Sequence, residues 1–488
     1  MSDLPEFRIS VDQNPYLPEG GRDMHAIVSV EAWAPGDGVR APGDGVRALG
    51  GGAAGTGTGT GTEAAEVIII DTSGSMSFGG KMAAAKRAAV TAVDVLRDGV
   101  RFAVVAGANR PRMIFPQGER LVRADERTRQ SAARAVRRLD AAGGTAIGSW
   151  LRLADRLLAG HEGAVRHAIL LTDGKNQHES PETLDAALRE CEGRFVCDAR
   201  GVGTDWEVAE LRKITSVLLG GFLDVPDPAD LEADFRAMAH AAMGKRVADV
   251  ALRVWTPQAA ELRFLKQMVP AVEDLTARRV ASGERTGDYP VGAWGSEARE
   301  YHLCVRVPAS EIGQRMRAAW VKLVAPDGTV LASGNVLAEW TDDEARSTRI
   351  NRRVAHHTGQ SELAEAVREG LEARRAGDEE TATKRLGRAV VLAREVGNEQ
   401  IAGLLDRVVE VVDGEPGTVR LRSGVAKADE MALDTRSVRT VRTRSSRPDS
   451  GGTDPGRTGD HGGKTDQTGQ SDEAGRAEEA GPPGDAGS

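Results

Sequence analysis

Four branched apolar residues in a row, Val67 to Ile70, break off into Asp71-Thr72-Ser73-Gly74-Ser75-Met76, and no other stretch of the 488 residues limits the fold as sharply. An unbroken branched-aliphatic run suits a strand buried on both faces, the situation of a parallel sheet covered by helices. The oxygen-bearing side chains that follow are spaced two apart. If the chain stays extended past the strand, alternate residues face one side. Asp71, Ser73 and Ser75 then aim one carboxylate and two hydroxyls at a common point, with Gly74 relieving the crowding.

Two later segments supply matching chemistry. Gly143-Gly144-Thr145-Ala146-Ile147 places a hydroxyl in a Gly-rich turn, and Ala168-Ile169-Leu170-Leu171-Thr172-Asp173-Gly174 ends a second apolar strand in a carboxylate. Loops at the carboxyl ends of parallel strands line one crevice, so the three segments are expected to converge there. Two carboxylates and three hydroxyls make an oxygen cage for a hard cation. Mg²⁺ takes six oxygens at about 2.0–2.1 Å and gives up its waters reluctantly, and Mn²⁺ fits the same donors.

Asp-x-Ser-x-Ser, a later Thr and a later Thr-Asp-Gly resemble the metal-ion-dependent adhesion site of von Willebrand factor A (VWA) domains, here of the bacterial intracellular type, and none of the five positions departs from that pattern. The resemblance implies that Asp71, Ser73, Ser75, Thr145 and Asp173 hold the metal and that an Asp or Glu of a partner completes the octahedron. It also implies a switch: Thr145 coordinates directly while Asp173 retreats behind a water, and the movement reaches the last helix of the domain, Pro228 to Met243. A plainer reading makes Ser73 and Ser75 caps of the following helix and Asp173 the cap of a turn. The agreement of three separate segments favours the metal site.

From residue 63 to 245 strands and helices alternate, the sign of a doubly wound, Rossmann-like parallel sheet. Strands are expected at Val67 to Asp71, Arg101 to Gly107, His167 to Asp173, Phe195 to Val202 and Phe222 to Val225. Helices are expected at Lys81 to Leu96, Thr128 to Leu139, Ile147 to Leu158, Pro181 to Glu190, Glu207 to Thr215 and Pro228 to Met243. Residues 246–345 carry short alternating runs, with Ala325-Pro326-Asp327-Gly328 as a hairpin turn, and read as a β-sandwich. The strands expected within residues 1–34 need partners, because an isolated hairpin is marginal, so they are assigned to the same sandwich. Residues 35–62, a word-for-word repeat followed by Gly/Thr alternation, read as a flexible linker. Residues 360–413 read as a helical hairpin that resembles one tetratricopeptide unit, and 414–488 as a disordered tail with too little apolar surface to offset chain entropy. Thr435, Thr440 and Thr443 lie in a basic stretch of that tail, where phosphorylation would create a handle for a phosphothreonine-binding partner.

Composition narrows the function. A formal net charge of −9 gives no global attraction to nucleic acid or anionic lipid. No apolar stretch approaches the roughly 18 residues of a membrane span, and the N-terminus lacks a secretory pattern. Cys191, Cys197 and Cys304 are too few for a disulfide framework and include no Cys-x-x-Cys. A cytoplasmic protein is expected. No phosphate loop and no Gly-x-Ser-x-Gly elbow exists, and His178 and Glu179, the nearest candidate bases, read as surface residues. The expectation is therefore no enzyme and no catalytic residue, but a scaffold in a bacterial signalling or stress assembly. The alternatives are a metal-dependent phosphohydrolase, or a chaperone-like subunit of a metal-insertion complex that borrows an ATPase partner.

Overall fold

A computed structural model describes residues 4–34, 63–413 and 417–440. The Ala64–Asp71 strand is buried along its whole length, in a sheet ordered Phe222–Val225, Val196–Val202, Val165–Thr172, Ala64–Asp71, Arg101–Gly107 and Arg112–Phe115. The first five run parallel. The continuous apolar run has a direct cause in the pleat. Ile68 and Ile70 pack against helices Lys81–Val95 and Leu231–Met243, while Val67 and Ile69 pack on the other face against helices Ile147–Leu158, Pro181–Cys191 and Val208–Val217. Asp71 pairs with Gly107 and Ile70 with Leu171, so the strands finish together at one edge. Arg112–Phe115 and Val122–Arg123 add to the Arg101–Gly107 strand in antiparallel fashion, an edge too short to give a period-two signal.

The N-terminal strands Glu6–Gln13 and Asp23–Trp33 pair with each other and then with Ala298–Arg306, in a sheet that continues through Glu261–Val269. The facing sheet holds Thr286–Trp294, Val247–Trp255, Arg315–Val324 and Val330–Trp340. Residues of both sheets meet in one core that includes Met24, Val28, Leu252, Trp294, Tyr301 and Trp340. The α/β unit is thus threaded into the chain of the sandwich. The Ala325-Pro326-Asp327-Gly328 turn links two adjacent strands, closed by the Gly328 N–H donating to the Ala325 carbonyl (2.9 Å).

The helical region begins earlier than sequence suggested, at Arg352, because Asn351 caps the helix Arg352–Ala376 through the Arg353 and Val354 N–H groups. Helices Glu379–Glu395 and Glu399–Val408 follow, the latter capped by Asn398. The three helices share one core, in which Leu363, Val367 and Leu371 meet Leu386 and Leu405. The helical segment, expected to run to residue 413, ends at Val408, and Val409–Asp413 pairs with Thr418–Leu421.

The tail likewise starts later than residue 414. Helix Lys427–Arg436 buries Met431 in the α/β core and Leu433 in the helical core. Asp434, with its side chain 4% exposed, receives Arg212 of the α/β unit (2.5 Å) and Arg375 of the first helix (2.9 Å). Arg436 reaches Asp224 (3.0 Å), so part of the basic stretch is spent on internal pairs. Thr435 is buried, which removes it as an accessible phosphorylation site in the folded chain. Thr443, the 35–62 linker and the chain beyond residue 440 lie outside the described residues. Among the described residues no helix is long and apolar enough to cross a membrane, and the three cysteines are free and buried.

Candidate metal centre

Where the Ala64–Asp71 strand ends, the chain does not stay extended. Ser73 is extended, and Gly74–Ser77 then close one turn of 3₁₀ helix. The turn is stitched to the Gly-rich segment: the Gly74 N–H donates to the Gly143 carbonyl (2.9 Å) and the Ala142 N–H to the Thr72 carbonyl (2.6 Å). A side chain at Gly74 would meet nothing closer than 3.8 Å, so crowding does not explain that glycine. The tighter backbone still brings the hydroxyls together, with Ser73 Oγ and Ser75 Oγ 3.0 Å apart.

All five expected residues gather here. Asp71 and Asp173 are fully buried, and Ser73 and Thr145 nearly so. Asp71 Oδ1 accepts from the Ser73 N–H (2.7 Å) and Oδ2 from Thr172 Oγ1 (2.6 Å). Ser75 Oγ donates to Asp173 Oδ1 (2.7 Å). Gly174 gives the sharpest measure of convergence. A Cβ built there would lie 3.3 Å from Thr145 Oγ1, 3.6 Å from Ser75 Oγ and 3.9 Å from Asp71 Oδ2. Oxygens from three separate segments thus surround one small space that glycine leaves open. Burial pushes the Asp71 carboxyl up to about 6 against the hydrogen bonds from Thr172 and Ser73, with Asp173 adding to the rise. A cation would relieve that cost. Among the described residues no three His, Cys, Asp or Glu side chains form a cluster fit for a metal, and the hydroxyl-rich donor set here suits Mg²⁺ or Mn²⁺.

Four further residues brace the site, none of them assigned that role from sequence. Helix Ile147–Leu158 starts at Ala146, which has no side chain to cap it, leaving its first N–H groups in need of acceptors. Asn176 Oδ1 accepts from the Ile147 N–H (2.8 Å) and Glu179 Oε1 from the Gly148 N–H (2.5 Å). His178 Nδ1 accepts from the Thr145 N–H (3.0 Å), and the His178 N–H returns a bond to the Thr145 carbonyl (2.9 Å). The imidazole lies so close over Gly144 that a Cβ there would overlap it. His178 is exposed, as expected, yet it and Glu179 hold the Thr145 loop. Lys81, the first residue of its helix, places Nζ 2.7 Å from Asp173 Oδ2 and 3.0 Å from Asp205 Oδ2.

A cavity of about 550 Å³ lies at the opposite end of the sheet, between the α/β unit and the sandwich. Its wall acids are matched to cations: Glu297 to Lys245 and Arg299, Glu273 to Arg278, and Asp198 to His167.

Residues 65–223 match the family model described as von Willebrand factor type A domain, and residues 391–437 match the von Willebrand factor type A C-terminal domain. The latter includes the helix that sequence had left in the tail. The chain belongs to the von Willebrand factor type A family. It is 47% identical to a von Willebrand factor type A protein of Catenulispora acidiphila and superposes on it with a TM-score of 0.82, over 91% of this chain and 98% of that one. The ArnB paralog VWA2 of Sulfolobus acidocaldarius shares the fold at 12% identity, with a TM-score of 0.51 over 89% of this chain and 98% of that one. An uncharacterized protein of Synechocystis sp. is 28% identical over 228 residues, 45% of this chain, and the chain spans 53% of that protein's length.

Proposed function

We propose that this chain is a metal-dependent protein-interaction module. Asp71, Ser73, Ser75, Thr145 and Asp173 would hold Mg²⁺ or Mn²⁺, and a partner's Asp or Glu would take the remaining corner. The observation that carries this reading is the convergence of Asp71, Ser75 and Thr145 oxygens on the space beside Gly174. Bound there, the ion supplies a cationic corner for an incoming carboxylate. The chain's own groups do the rest: two carboxylates offset the charge, three hydroxyls donate without adding charge, and His178 fixes the height of Thr145 through its backbone. Glu179 Oε1 accepts from the Gly148 N–H and from Asn176, and His178 Nδ1 from the Thr145 N–H, so the bracing of the Thr145 loop accounts for both side chains, and binding is favoured over catalysis.

Capture would work as a switch if Thr145 and Asp173 exchange direct coordination. The movement would reach helix Leu231–Met243, which packs against helix Lys81–Val95, with Thr91 Oγ1 donating to Glu232 Oε1 (3.1 Å). The setting proposed is a bacterial cytosolic signalling or stress assembly. A pull-down with the full chain tests the reading. The partner should be retained in Mg²⁺ and lost both in EDTA and in Thr145→Ala. Retention in EDTA would contradict it.

A further inference from the structure

We propose that Lys81 is a resident counter-cation of this site: it neutralises Asp173 while no ion is held, and it lowers the affinity with which an ion can be held. The proposal rests on the metal-capture reading above. Its basis is the way the two oxygens of Asp173 are divided. Oδ1 accepts from Ser75, one of the converging hydroxyls, whereas Oδ2 meets the Lys81 ammonium at 2.7 Å. The Asp173 side chain is wholly buried and that of Lys81 only 13% exposed.

A carboxylate removed from water is costly without a compensating charge, and Lys81 supplies one from the protein itself. The path of its side chain is set by the loop after the Val196–Val202 strand. Gly203 leaves room for the lysine stem, since a Cβ there would sit 3.1 Å from Lys81 Cε, and Asp205 receives the ammonium from the solvent side. Lysine suits this role because it is a compact point charge on a flexible stem.

Two consequences follow from Coulomb's law. A divalent ion in the cage is repelled by the ammonium behind Asp173, so binding is weaker than two carboxylates alone would allow. Once the ion is held, it and the two cage carboxylates cancel, and the Lys81 ammonium is left as a surplus that Asp205 offsets only from the solvent side, where water screens it. That surplus favours an acidic partner. Lys81 thus exchanges metal affinity for anion capture.

The test uses the full chain and Mn²⁺ alone, with affinity from calorimetry and thermal midpoints recorded in EDTA and in saturating Mn²⁺. Lys81→Met should bind Mn²⁺ at least about tenfold more tightly, the Coulomb energy of nearby charges even at near-bulk screening. It should melt below wild type in EDTA and recover most of that deficit in Mn²⁺, whereas Lys81→Arg should stay near wild type. Asp205→Asn, an exposed change, should weaken Mn²⁺ binding by roughly twofold to threefold, because the ammonium then acts on Asp173 alone. If wild type binds Mn²⁺ and Lys81→Met binds it equally or more weakly, Lys81 is only a structural partner of Asp173, and the capture reading survives. If Lys81→Met does not fold, equal or tighter binding by Asp205→Asn overturns the proposal. Failure of wild type to bind Mn²⁺ overturns both.

Discussion

Asp71→Ala is expected to lower Mg²⁺ and Mn²⁺ affinity by at least about a hundredfold while leaving the protein folded. The expected loss is large because Asp71 is one of only two carboxylates in the donor set, and an ion's affinity for an oxygen site follows the charge of its ligands. Its hydrogen bonds from the Ser73 N–H and Thr172 Oγ1 would also be lost, each at about 1–3 kcal/mol for a buried group left unmet. Removing a carboxylate whose ionisation burial already opposes offsets part of that cost. Calorimetric titration with the metal, alongside a thermal melt in EDTA, separates the two effects. Near-wild-type affinity in the variant would place the ion elsewhere. Steady turnover of a phosphate ester that disappears in Asp71→Ala would instead make the chain a metal-dependent hydrolase.

The second large effect is expected far from the crevice. His167 sits on the central sheet with Nδ1 2.9 Å from Glu66 Oε1 and Nε2 3.1 Å from Asp198 Oδ2. Burial opposes a charged imidazole, but the Glu66 and Asp198 carboxylates carry its pKa from 6.5 up to about 10. Burial likewise opposes ionisation of Asp198, yet His167 and Arg200 hold it well below the usual carboxylate range. The folded chain therefore holds the His167 proton more tightly than the unfolded chain does. The stability this contributes is complete below about pH 6.5, declines as pH rises, and is gone once pH passes through about 10. His167→Gln leaves Glu66 buried beside a neutral partner and should cost roughly 3 kcal/mol, within the range for breaking a buried ion pair. The stability of wild type, read from urea melts, should fall between pH 7 and 10, by about 1.4 kcal/mol per unit at the steepest. The variant should show a flatter profile. A wild-type stability that rises with pH would contradict the assignment.

The convergence of Asp71, Ser73, Ser75, Thr145 and Asp173 was legible because each stands just past the end of an apolar strand or just before a helix, where local pattern and topology agree. What was not legible acts across sequence distance. His178 and Asn176 reach back 33 and 29 residues to the start of the Ile147 helix, and Lys81 meets Asp173 across 92 residues of chain. No local period encodes such contacts. In the sandwich, Thr286–Trp294 carries Gly and Pro inside a paired strand, which masks a strand signal that packing overrides. The C-terminal helix was hidden because so few of its residues are large and apolar. It is held as much by Asp434 and Arg436 pairing with other parts of the chain as by its own buried side chains.

The most direct measurement is an anomalous difference map from crystals of the full chain grown in Mn²⁺. A single strong peak is expected in the space beside Gly174, bonded to Asp71, Ser73 and Ser75, with Thr145 and Asp173 completing the shell directly or through water. An empty crevice at saturating Mn²⁺, or a peak held by other residues, would contradict the proposed metal centre.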